Sequence, residues 1–146
     1  MKDLSFNTGM IELAIQGDEN RVLRFNPSDE KIADGFLNLV KTVNGRMKGF
    51  EEREKKIAED SLTDLERAEN MVGLGLEIDK FFRSELDGLF GEGTSSIVFE
   101  NLSTFAITEN GQCVFANFLA ALLPFFEKET KVRSEKVAQI VRENRP

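Results

Sequence analysis

Arg24-Phe25-Asn26-Pro27-Ser28-Asp29, followed by the run EKIADGFLNLVKTVNGRMKGF from Glu30 to Phe50, decides the fold. Asn26 can cap a helix, Pro27 suits a first helical position, and Asp29 is favourable in a first turn. The apolar residues that follow are Ile32, Phe36, Leu39, Val43, Met47 and Phe50, at intervals of 4, 3, 4, 4 and 3 residues. That is the period of one buried helix face, widened by Leu37 and Val40. The stretch therefore predicts a long amphipathic helix, and everything upstream and downstream must pack on it.

Upstream, Ile11, Leu13 and Ile15 alternate with Glu12, Ala14 and Gln16, the period of a half-buried strand. Gly17-Asp18-Glu19-Asn20 reads as a polar turn and Arg21 to Phe25 as a second strand. Leu4-Ser5-Phe6 could add a third. A hairpin alone is marginal in water, so this one must lie on the helices or pair with another copy.

Downstream of Phe50 the apolar stripe stops. Glu51-Glu52-Arg53-Glu54-Lys55-Lys56 is charged on every face, as in a helix that projects into solvent or covers another subunit. Glu51 with Lys55 and Glu52 with Lys56 could support it as i,i+4 pairs. Ser61 with Asp64 resembles an N-cap that starts a second helix, the alternative being that the first helix runs through. Leu65, Val72, Leu76, Ile78, Phe81, Phe82, Leu86, Leu89 and Phe90 then cover more than one face, which predicts a central helix. Gly73 and Gly75 inside it predict close approach of another backbone, or a kink. Gly91-Glu92-Gly93 ends it. Residues 94 to 111 read as a short helix or an irregular connection. A last helix starts near Gly111, buries Val114, Phe115, Phe118, Leu119, Leu122 and Leu123, and is kinked or interrupted at Pro124. A thin stripe follows at Val132, Val137, Ile140 and Val141. The fold class is α+β, mainly α: an N-terminal hairpin (residues 1–27) and three to four helices (28–142), one domain over 1–146 with a frayed end at 143–146.

Composition narrows the function. With 146 residues and no His, the chain lacks the commonest general base and metal ligand. Its single cysteine, Cys113, sits beside Val114 and Phe115 and reads as an inert core thiol. Nineteen Lys and Arg against 26 Asp and Glu give a net charge of −7, which argues against nucleic acid or an anionic membrane as partner. No apolar run is long enough for a membrane span or a signal peptide, so the protein is expected in the cytoplasm. Acidic pairs such as Glu85 and Asp87 read as surface acids, and Gly73-Leu74-Gly75 is no phosphate loop. The expectation is no cofactor, no metal, no small-molecule substrate and no catalysis.

Two features point to protein binding. Between Arg83 and Lys128 there is no basic residue, whereas the tail from Lys128 onward carries six basic residues against three acidic ones, an arrangement suited to subunit or partner contacts. The 13 phenylalanines are enough to build a core, and any that one small core leaves uncovered would face another chain. Phe125 and Phe126, with the hairpin edge at Ile11, Leu13 and Ile15, are the candidate contact residues, and self-association is expected.

The order of signals, SFNTG, RFNPSD, FFRSELDGLFG, FANFLAALLPFF and VAQIVRENR, is similar to a family of small proteins encoded in tail-gene regions of phages and prophages of Gram-positive bacteria. They are regarded as tail assembly chaperone-like. The most specific pieces are Phe25 to Asp29, Leu89-Phe90-Gly91 and Asn117-Phe118-Leu119. The sequence departs from that pattern between Glu92 and Glu109. The resemblance implies a non-enzymatic protein of the host cytoplasm that binds the apolar, helical tape measure protein. The alternatives are a structural subunit of the tail or a small cytosolic adaptor.

Overall fold

The computed structural model describes residues 1–143. Most of the end expected to fray at 143–146 lies outside them, as do the side chains of Val132, Val137, Ile140 and Val141. The elements are strands β1 (Ile11–Ile15) and β2 (Asp18–Phe25) and helices α1 (Glu30–Glu59), α2 (Asp64–Phe90), α3 (Thr94–Phe99) and α4 (Val114–Glu143). The fold is mainly helical with an N-terminal hairpin, as the sequence predicts.

The hairpin turn is tighter than the polar run suggested. It consists of Gln16 and Gly17, with φ of 53° and 77°. Two successive positive φ values make the turn whose twist matches antiparallel strands. Asp18, Glu19 and Asn20 belong to β2 instead. Ile15 pairs with Asp18 but Ala14 pairs with Val22, so the register is broken there. Beyond the break Leu13 faces Leu23 and Ile11 faces Phe25. No third strand forms at Leu4-Ser5-Phe6, and these residues are exposed.

Asp29, not Asn26, caps α1. Its extended backbone lets the carboxylate accept the Lys31 N–H at 2.9 Å. Asn26 makes the turn before it. Its carbonyl accepts the Asp29 N–H and its side chain the Ser28 N–H. Phe36, Leu39, Val43 and Phe50 are buried on the face the periodicity marked, and Leu37 is exposed.

α1 runs unbroken through the charged stretch, and α2 returns alongside it. The interhelix ion pair is Arg53 with Glu77, rather than the i,i+4 pairs expected within α1. Thr63, two residues past Ser61, is the α2 cap, and with Glu66 it forms a reciprocal capping box. Arg67 folds back to donate to the carbonyls of Ile57, Ala58 and Leu62. The first two are carbonyls that the end of α1 leaves without partners, and the third lies in the connection to α2.

α2 is not central on all faces. Leu74, Ile78, Phe82 and Leu86 bury a single stripe, and Leu65, Val72 and Leu76 face solvent. A Cβ at Gly73 or Gly75 would meet nothing within 4 Å. The close approach lies at Gly35 on α1, where a Cβ would come within 2.5 Å of Leu89 Cδ1.

Residues 94–113 hold both a short helix and an irregular connection. Asp79 accepts from the Thr104 N–H (2.8 Å) and hydroxyl (2.7 Å) and from Arg83 (3.2 Å). Arg83 in turn donates to the carbonyls of Ser95, Glu100 and Leu102. Asp87 accepts from the Ser95 N–H and hydroxyl. Thr104 and Ser95 are buried, and this network provides their hydrogen bonds.

α4 passes through Pro124 without interruption. The proline removes the hydrogen bond to the Ala120 carbonyl, but both residues are exposed, so water can replace it. Phe115, Leu119, Leu122 and Phe126 form its buried stripe. Two ring stacks tie α4 to the other helices: Phe36 on Phe126 at 4.5 Å and Phe82 on Phe115 at 4.4 Å. Each of these rings contributes about 1.5–3 kcal/mol by burial.

Candidate protein-binding site

The stacked rings have a geometric consequence. Side chains as large as Phe36, Phe82 and Phe115 form a floor between α1 and α4 and leave a groove of about 660 Å³ open above them. Val40 and Met47 of α1 form one wall and Leu119 and Leu123 of α4 the other, with Ile107 closing the side. Most of its lining is apolar. Among the described residues its only charged side chains are Glu51 and Glu54, together at one end. Leu37, Ile107 and Leu123 reach the solvent at its rim. An apolar groove between helices with exposed apolar rims is the receptor form for an amphipathic helix or an apolar extended segment.

A second groove, of about 520 Å³, lies between the hairpin and α4. Leu13 and Ile15 line one side and Phe118 and Phe125 the other, with Arg21 at its border. Arg21 is fixed there by Glu100 at 3.0 Å and by the carbonyls of Ile97 and Val98.

The candidate contact residues therefore divide. Phe125 is 36% exposed, at the rim of the second groove. Leu13 and Ile15 are half-buried within it. Ile11 lies on the same inner hairpin face, opposite Phe25, and packs on the core. Phe126 is buried between Phe36 and Phe25 and belongs to the core. The stripe of α4 explains the exchange: position 126 continues the 115–119–122 face, whereas Leu123 turns out to the first groove. The residues that the sequence reading missed are Leu37, Ile107 and Leu123. The signal for Leu37 was present, since it and Val40 widen a stripe that one neighbouring helix cannot cover.

The short motifs that carry the family resemblance serve the fold. Asn26 organises the β2–α1 corner, Phe90 sets its edge against Phe25, and Asn117 donates to the Thr108 hydroxyl at 2.8 Å. Of the acids named as a pair, Asp87 is engaged by Ser95. Burial pushes the Asp79 carboxyl upward, but the two Thr104 hydrogen bonds and the Arg83 charge outweigh it and hold the group below the usual aspartate value. Cys113 is buried. Among the described residues no group of three or more His, Cys, Asp or Glu is placed to hold a metal ion, and no helix is long and apolar enough to cross a membrane. No protein-family model, curated protein or solved structure matches this chain.

Proposed function

We propose that this protein is a non-enzymatic, tail assembly chaperone-like binder of the phage or prophage tape measure protein, acting in the host cytoplasm before the tail tube forms. The observation that carries the reading is the open apolar groove between α1 and α4. A tape measure protein is long, helical and apolar, and alone it exposes amphipathic faces that aggregate. A groove floored by phenylalanine rings covers such a face without demanding a sequence, because apolar burial is non-directional. The net charge of −7 keeps the loaded complex soluble.

A tape measure gene immediately downstream of the gene for this chain would favour the reading, and co-expression with that tape measure protein tests it. The two are expected to co-purify, with the client soluble only in the presence of its partner. Leu37→Glu with Leu123→Glu places two charges on the groove rims and abolishes the capture. Recovery of the chain as a stoichiometric part of purified virions would favour the structural-subunit alternative.

A further inference from the structure

The segment Met1–Met10 has no regular structure and is hydrogen-bonded to the body at Asn26. Asn26 donates from its side-chain nitrogen to the Thr8 carbonyl, and Asn7 accepts the Gly9 N–H. Gly9 is required there: its φ is +83°, and a Cβ would come within 2.9 Å of Asn26 Oδ1. Beyond that anchor the arm offers large apolar side chains to solvent, with Leu4 87% and Phe6 73% exposed. The chain thus carries both an uncovered apolar groove and an unburied apolar arm.

Their patterns correspond. In an extended segment alternate residues share a face, so Lys2, Leu4 and Phe6 point one way. From Lys2 the Leu4 and Phe6 positions lie about 6.6 and 13 Å along a strand. From Glu51, Met47 and Val43 lie about 6 and 12 Å along α1. With Lys2 against Glu51 and Glu54, Leu4 therefore falls at Met47 and Phe6 at Val43, all lining the groove. The charges are opposite at the one end where the groove is charged.

The chain's own arm cannot make this fit. Its anchor lies beside Asn26, before the start of α1. From Asp29 to Glu51 is about 33 Å of helix, whereas Lys2 to Gly9 spans about 23 Å even when extended. We propose that the Met1–Met10 arm of a second copy occupies the α1–α4 groove, Lys2 to Glu51 and Glu54, in a reciprocal exchange that makes a dimer. The exchange hides both apolar surfaces until a client helix displaces the arm.

Light scattering coupled to size exclusion, with purified full-length protein and no client, tests the exchange. Its failure therefore leaves the client reading untouched. The wild type is expected at twice 16.5 kDa. L4S/F6S and E51K/E54K each raise the dimer Kd by about tenfold or more. K2E/E51K/E54K restores the dimer, because the charge pair is rebuilt with reversed sign. All these positions are exposed, and far-UV circular dichroism confirms the fold of each variant. A monomeric wild type at hundreds of micromolar overturns the proposal. So does a dimer indifferent to L4S/F6S, or a triple variant no tighter than E51K/E54K.

Discussion

The two ends of the α1–α2 pair are built by different physics. Where Phe36 to Phe50 faces Ile78 to Leu86, the helices are held by buried apolar side chains, and α4 adds two ring stacks. Where Glu51 to Glu59 faces Thr63 to Glu77, Leu74 is still buried, but directional polar contacts do most of the tying: the Thr63–Glu66 box, Arg67 on three carbonyls and the Arg53–Glu77 pair. There Leu65, Val72 and Leu76 stay in solvent. The difference teaches that a helix can continue well past its core if its ends are capped and its neighbour is tied. Polar ties set geometry and apolar burial sets stability.

Unequal responses to truncation should expose the contrast first. Phe82→Ala at the packed end removes a fully buried, stacked ring and is expected to cost about 3–5 kcal/mol in urea unfolding. Leu65→Ala at the tied end is expected within about 0.5 kcal/mol of wild type. Equal losses would break the distinction.

Asp79→Ala comes next. It strips the Thr104 N–H and hydroxyl and the Arg83 guanidinium of their shared acceptor, at an expected cost of about 1–3 kcal/mol. Because the native pKa of Asp79 is depressed, its contribution is complete above the ordinary value of about 3.9 and is lost as the pH falls through the lower native value. The gap between wild type and Asp79→Ala should therefore narrow below about pH 4. A constant gap from pH 7 to pH 2 would contradict this role.

Arg67→Ala should cost about 1 kcal/mol and act locally. Hydrogen exchange is expected to quicken in residues 51–62 and to remain slow around Ile78 and Phe82. Uniform acceleration would mean that the two ends unfold as one unit. The smallest effect has the opposite sign. With open space around Gly73, Gly73→Ala should stabilise the monomer by up to about 1 kcal/mol. A loss would mean that another chain approaches α2 at that turn.

Periodicity made the fold legible wherever one face is buried. The α1 stripe, the Ile11–Ile15 alternation and the Gly91 stop all stand in the structure. It failed where two surfaces compete for one helix. Leu76 and Leu123 are as apolar as Leu74 and Leu122, and only the angle about the axis, fixed by the neighbours, decides which pair is buried. The caps were displaced by two or three residues because Asn26, Asp29, Ser61 and Thr63 are all good caps, and backbone conformation selects among them. Of the candidate site, Phe125, Leu13 and Ile15 line a groove, but the larger groove was not foreseen. It depends on how far apart the phenylalanine rings hold α1 and α4, a distance that no sequence spacing encodes.

Calorimetric titration with a helical segment of the tape measure protein tests the central claim most directly, comparing wild type with L37E/L123E at the α1–α4 groove and L65E/L76E on the outer face of α2. Groove binding predicts loss of affinity by about tenfold or more in L37E/L123E and wild-type affinity in L65E/L76E. Wild-type affinity in L37E/L123E, or loss confined to L65E/L76E, would contradict it.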